Sequence, residues 1–301
     1  MNFLPSKIAF CVLVKRGPDT RSEGYIVNTD GSDLVRIDDS AVKARITNNF
    51  SVTSPAWNSD GEYVDFAISP SDGSVLSDDF TLRYLVSAKK STIIEKEVEI
   101  IEPEASYSPD GKFVALMVDD AEENGFILKN CSTGDSTIIG EELPEISNFL
   151  WSPDSSKLLF AATNSNYRND AWCLELLSHQ TSKVVSNLPD EPVWSWAPDS
   201  TRIIIAADDP SGEIGWCFYL RNFQDDHLIE ILTQEDSTLE LFAEMPVWTS
   251  EGSFFALANK TSEEVDDYSI NIYSKQGVLV KTLVWSSANF VLITNMAFAP
   301  K

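Results

Sequence analysis

Apolar residues along this chain come in short runs, each bounded by polar turn residues. Ser6-Lys-Ile-Ala-Phe-Cys-Val-Leu-Val-Lys15 and Ser156-Lys-Leu-Leu-Phe-Ala-Ala162 are two such runs. Runs of four to eight aliphatic and aromatic residues between turn signals read as strands. No amphipathic stretch has a useful helical length, and no apolar run approaches the roughly 18 residues needed to span a membrane.

The runs follow a recurring block: an aromatic residue, a tight turn, then apolar positions. Trp151-Ser-Pro-Asp-Ser155 is the clearest copy. Pro at the second position of a four-residue turn has its φ already set, and Asp or Gly suits the positions after it. Other copies are Trp57-Asn-Ser-Asp-Gly61, Tyr107-Ser-Pro-Asp-Gly111, Trp196-Ala-Pro-Asp-Ser200 and Trp248-Thr-Ser-Glu-Gly252, and a sixth begins at Phe298-Ala-Pro300. The anchors Trp57, Tyr107, Trp151, Trp196, Trp248 and Phe298 are spaced by 50, 44, 45, 52 and 50 residues. A period of about 40–50 residues is propeller spacing, with four strands per blade.

The expected fold is therefore all-β: one six-bladed β-propeller over residues 1–301, built of four-stranded antiparallel blades. The blades span roughly 51–99, 101–141, 146–188, 191–235 and 239–285, with 289–301 joined to 6–40 in the sixth. Gly24-Tyr-Ile-Val, the turn Asn28-Thr-Asp-Gly31 and Asp33-Leu-Val-Arg-Ile37 supply the later strands of a blade whose first strand is missing at this end. Phe290 to Pro300 is predicted to fill the gap and close the ring, removing exposed sheet edges. The anchor aromatics are expected to pack between adjacent blades.

The repeat carries a resemblance. Trp/Tyr-Ser-Pro-Asp-Gly/Ser followed by Lys-Ile-Ala-Phe-like strands resembles the WD40-like repeat of TolB-type β-propellers, and Gly24-Tyr-Ile-Val-Asn-Thr-Asp-Gly-Ser-Asp-Leu34 is similar to the third strand and hairpin of that repeat. The likeness covers nearly the whole chain. It implies a six-bladed propeller used mainly for protein–protein contact. TolB itself has a further N-terminal domain and is exported to the periplasm.

Composition adds the surface. The net charge is −25, while 43% hydrophobic residues, with 8 Trp and 16 Phe, suffice for a buried core. Such a charge opposes binding to nucleic acid or anionic lipid and favours a basic partner. In a propeller blade, the second-to-third and fourth-to-next-first connections lie on one face. Those connections include Asp119-Asp-Ala-Glu-Glu123, Asp208-Asp-Pro-Ser-Gly-Glu213, Glu263-Glu-Val-Asp-Asp267, Glu97-Val-Glu-Ile-Ile-Glu-Pro-Glu104, Glu141-Glu-Leu-Pro-Glu145, Asp190-Glu191 and Glu235-Asp236. They carry nearly all the net charge, whereas Ser87-Ala-Lys-Lys90 and Ser274-Lys-Gln-Gly277, on the other face, are near neutral. The candidate partner-binding residues are Glu102, Glu104, Asp119, Asp120, Glu145, Asp190, Glu191, Asp208, Asp209, Glu244, Glu263 and Glu264. The alternative is that these acids are merely solvated and keep the protein soluble.

The expected function is a non-enzymatic scaffold, monomeric, binding a protein or peptide of basic character, with no nucleic acid and no membrane insertion. A carbohydrate-binding or glycan-active propeller using face carboxylates and aromatics is the alternative. No catalytic residue is assigned: the chain has no Gly-x-Ser-x-Gly elbow, no zinc-spaced His/Cys cluster and no phosphate loop. Its histidines, His179 and His227, sit near outer hairpins. No cofactor or metal is expected. Carboxylate clusters leave Ca²⁺ as an open alternative, although no segment has EF-hand spacing. Cys11, Cys131, Cys173 and Cys217 fall in apparent strands without disulfide-framework spacing, and Cys173 and Cys217 occupy matching places that suit packing. The N-terminal Met-Asn-Phe-Leu-Pro-Ser-Lys lacks a signal-peptide plan, so a cytoplasmic location is expected, or a periplasmic one had a leader been removed.

Overall fold

The computed structural model describes residues 6–16, 19–44, 50–70, 80–95, 105–117, 125–143, 145–189, 192–208, 216–225, 227–234, 245–260, 267–286 and 290–300. The first strands are β1 (Lys7–Arg16), β2 (Asp19–Asn28) and β3 (Val35–Arg36), followed by the single helical turn α1 (Ser40–Lys43). A second group is β4 (Phe50–Trp57), β5 (Tyr63–Pro70), β6 (Phe80–Leu85) and β7 (Lys90–Glu95); a third is β8 (Ala105–Tyr107), β9 (Phe113–Met117), β10 (Phe126–Asn130) and β11 (Ser136–Ile139). Then come β12 (Ile146–Trp151), β13 (Lys157–Thr163), β14 (Asn169–Glu175) and β15 (Gln180–Leu188), and β16 (Trp194–Trp196), β17 (Arg202–Asp208), β18 (Trp216–Asn222) and β19 (Leu228–Gln234). The chain ends with β20 (Val247–Trp248), β21 (Phe254–Lys260), β22 (Asp267–Ser274), β23 (Leu279–Ser286) and β24 (Phe290–Phe298).

These strands form six four-stranded antiparallel sheets, five of them in simple chain order. The sixth has the order β24-β1-β2-β3, so the last strand of the chain completes the sheet of the first three. Its register sets Phe298 opposite Ile8 and Met296 opposite Phe10. The chain divides into two compact units, Met1–Glu99 with Ala243–Lys301 and Ile100–Phe242, each holding three of the sheets.

The second strands β1 and β13 are apolar on both faces because each face has its own core. In the first unit, Ile8, Phe10, Val12 and Val14 pack with Phe254, Ala256, Ile270 and Ile272 of the β20–β23 sheet. The alternate residues Ala9 and Cys11 pack with Val52, Val64, Phe66 and Leu82 of the β4–β7 sheet. The second unit repeats the scheme on β13, where Leu159 and Ala161 face one cluster and Leu158, Phe160 and Ala162 the other. A strand covered on both sides loses the in/out alternation and reads as a continuous apolar run. Close approach of the sheets is visible at Gly24, where an added Cβ would lie 2.9 Å from the Phe66 ring.

Two local expectations are corrected. Cys131 is not in a strand; it lies exposed in the turn after β10, where its N–H bonds to Lys112 O at 2.8 Å. The expected strand from Asp33 to Ile37 shrinks to Val35–Arg36, because Asp33 takes a positive φ of 53° that breaks the extended backbone.

Candidate functional site

The recurring turn is the element that positions everything around it. In Trp151-Ser-Pro-Asp-Ser155, the Ser155 N–H bonds to Ser152 O at 2.9 Å, closing the turn over Pro153 and Asp154. Ser152 Oγ accepts from the Lys157 N–H (2.9 Å) and donates to Asp154 Oδ1 (2.7 Å), which also accepts from the Ser156 N–H (3.0 Å) and hydroxyl (2.8 Å). Burial opposes ionisation of Asp154, but the Ser156 and Ser152 hydrogen bonds prevail and hold its pKa down to about 2. Asp110 is likewise depressed, first by the hydrogen bond from Lys112 and then by its backbone N–H and Ser108. These aspartates cap their own turns.

The fifth residue of each copy has a positive φ: Gly61, Gly111, Ser155, Ser200 and Gly252. Two copies use serine, and those serines have a second role. Ser155 Oγ accepts the backbone N–H of Asp110 (3.1 Å), and Ser200 Oγ that of Asp154 (3.0 Å), each in the turn of the preceding sheet. The anchor indoles do the same from the other end of the motif. Trp57, Trp151 and Trp196 donate Nε1–H to the carbonyls of Ala297, Ser106 and Leu150, at 3.1, 3.1 and 3.2 Å, each on the first strand of the preceding sheet. Trp248 and Phe298 are buried. Tyr107 departs from the expected packing: it is 56% exposed.

A third regularity lies three residues before the anchor. Ser54, Asn148 and Asn295 all have positive φ at register irregularities in β4, β12 and β24. The bulge lets a long first strand bend while keeping its anchor aimed at the neighbouring sheet. Strands β16 and β20 begin beyond the matching position.

Of the acids singled out from the sequence, Glu145 and Asp208 lie among the described residues. Glu145 is exposed and accepts from the Thr163 hydroxyl at 3.2 Å. Asp208 is not a free acid, because the Arg168 guanidinium bonds to it and offsets its charge. Glu102, Glu104, Asp119, Asp120, Asp190, Glu191, Asp209, Glu244, Glu263 and Glu264 fall outside the described residues.

The buried acids Glu23, Asp39 and Asp170 had no signal in the sequence, and two of them share a plan. Glu23 is 2% exposed on β2, two residues before Tyr25, whose register partner is Arg36. Asp170 is 3% exposed on β14, two residues before Trp172, whose register partner is Lys183. The two sheets thus share an acid and an aromatic on the third strand and a base opposite on the fourth. Glu23 accepts from Arg21 Nη2 (2.7 Å), Arg36 Nε (2.6 Å) and Tyr25 Oη (3.2 Å). Asp170 accepts from Lys183 Nζ (2.6 Å), Asn164 Nδ2 (2.8 Å) and the Asn187 N–H (3.1 Å). Burial works against the Asp170 charge, and the Lys183 and Asn164 bonds overcome it, so its pKa is lowered. Both carboxylates are saturated by protein donors, which makes them clamps between outer strands.

No disulfide joins the four cysteines, and burial pushes the Cys173 thiol up to about 12, the reverse of a reactive thiol. Among the described residues no three His, Cys, Asp or Glu side chains gather as a metal group, and no helix is long and apolar enough to cross a membrane.

No family model matches the sequence, and no curated relative does. Solved structures do match. TolB from Acinetobacter baumannii is 14% identical over 98% of this chain and 67% of that one, with a TM-score of 0.54. A nidogen/laminin complex is 9% identical over 97% of this chain and 98% of that one, with a TM-score of 0.45, and a prolyl endopeptidase is 13% identical over 96% and 42%, with a TM-score of 0.43. The likeness to TolB identifies the fold: the six four-stranded sheets are the blades of a TolB-like β-propeller.

Proposed function

We propose that this chain is a non-enzymatic propeller scaffold that binds a basic protein or peptide through acidic connections at one end of its sheets. The observation that carries the reading is where the acids fall in the strand order. In an up-and-down four-stranded sheet, the second-to-third connection and the one leaving the fourth strand lie at the same end. Segments 71–79, 118–124, 209–215 and 261–266 are second-to-third connections, and 96–104, 190–191 and 235–244 leave fourth strands. Together they carry most of the net charge of −25. At the other end, Asp110, Asp154 and Asp199 are occupied in capping their own turns.

Concentrated negative potential speeds and orients the capture of a cationic partner, and its contribution is screened by salt. Selection from a displayed library of lysine- and arginine-rich peptides, followed by calorimetry, tests the reading. Affinity for the selected peptides should fall about tenfold or more as ionic strength rises from about 0.05 to 0.5 M. Affinity indifferent to salt would contradict it.

A further inference from the structure

A small cavity in the first unit, of about 80 Å³, is lined by Lys7, Ile26, Asp33, Val35, Tyr84, Val86 and Lys89. Its chemistry runs opposite to that of the chain as a whole. Two ammonium groups and one carboxylate give it a net charge of +1 in a protein of net −25. Asn28 braces one side, accepting from Lys7 Nζ and donating Nδ2–H to Asp33 Oδ2 at 3.0 Å. The Asp33 carboxylate is thereby engaged. Lys89 is exposed and held at a positive φ of 47° in the turn between β6 and β7.

Tyr84 supplies the second observation. It is 4% exposed and lines the cavity. Burial raises its pKa, so the hydroxyl stays protonated and remains a donor. Tyr84, Lys7 and Lys89 make a surplus of donors, which suits a ligand rich in acceptors better than water, itself half donor. The cavity's remaining wall is aliphatic: Ile26, Val35 and Val86.

We propose that this cavity binds a carboxylate carried on a short aliphatic body, with Tyr84 and Lys89 as the donors that hold the anion. A single net positive charge matches a monoanion rather than a phosphate dianion, and the volume admits a carboxylate with a few carbons. The same chemistry is offered by a free short-chain acid and by the C-terminal residue of a peptide. This site is independent of the acidic connections, and its test does not bear on them.

The methyl resonances of Ile26, Val35 and Val86 report on it directly. The full-length protein would be titrated with n-butyrate and N-acetylvaline, and with n-butylamine and inorganic phosphate as controls. Saturable methyl shifts with either carboxylate are expected, and Tyr84→Phe and Lys89→Ala should each weaken binding about tenfold. Tighter binding of N-acetylvaline supports the peptide source, and tighter binding of butyrate the free acid. Absence of shifts with both carboxylates, affinity unchanged in Tyr84→Phe and Lys89→Ala, or stronger binding of phosphate or butylamine would each overturn the proposal. If Tyr84→Phe does not fold, Lys89→Ala alone decides.

Discussion

The turns after Tyr107 and Trp151 follow one five-residue plan in neighbouring sheets of one unit, yet they are fastened differently. Trp151 is buried, donates to Ser106 O, and its turn ends in Ser155, whose hydroxyl takes the Asp110 N–H. Tyr107 is exposed, and its turn ends in Gly111, where an added Cβ would touch nothing within 4 Å. The local turn is the same in both, with Gly111 N–H to Ser108 O at 2.8 Å and Ser155 N–H to Ser152 O at 2.9 Å. The repeat therefore specifies the turn, while docking onto the previous sheet is carried by two replaceable side chains, the first and the fifth of the block.

The comparison can be broken most strongly at the first position. Trp151→Ala should cost about 3–5 kcal/mol in urea unfolding, from lost burial plus a cavity, whereas Tyr107→Ala should cost less than about 1 kcal/mol. Equal losses would show that exposure does not separate the two anchors. Ser155→Ala keeps the unfavourable positive φ and deletes the hydrogen bond to the neighbouring turn, so a loss of about 1 kcal/mol is expected; Ser155→Gly deletes the same bond but relieves the backbone and should come out near neutral. Gly111→Ala has room for its methyl, so its cost of about 1 kcal/mol should come from φ alone. The smallest effect is the pH dependence of Asp154. Its pKa is lowered from 3.8 to about 2 in the folded chain, so its stabilising contribution is complete above about pH 4 and is lost as the pH falls through about 2. In Asp154→Asn, acid unfolding should lose that portion of its slope.

Much of the fold could be read from the chain because its signals are local. Pro153 and Asp154 fix a turn through their own backbone preferences, and runs such as Ile8 to Val14 announce strands covered on both faces. The pairing of β24 with β1 also followed from the repeat, since the first sheet lacked one strand. What escaped was set between sheets. The hydroxyls of Ser155 and Ser200 look like ordinary turn residues until the preceding turn is placed beside them. Nothing in the sequence marks Glu23 and Asp170 as buried, because Arg36 and Lys183 reach them from another strand. One signal was available: Asn148 and Asn295 both stand three residues before an anchor, and Asn tolerates positive φ. Of the candidate acids, Asp208 takes a partner that no local signal announces, because Arg168 lies 40 positions away.

The most direct test of the binding account reverses charge at the two ends of the sheets separately. Glu102, Glu104, Asp190 and Glu191 would be changed to Lys in one protein, and Glu62, Asp135, Glu175 and Glu251 in another, so that net charge changes equally. Calorimetry against the selected basic peptide should show affinity lost by about a hundredfold in the first protein and changed less than about threefold in the second. Equal losses in both would mean that net charge alone attracts the peptide, and would contradict a binding surface at one end.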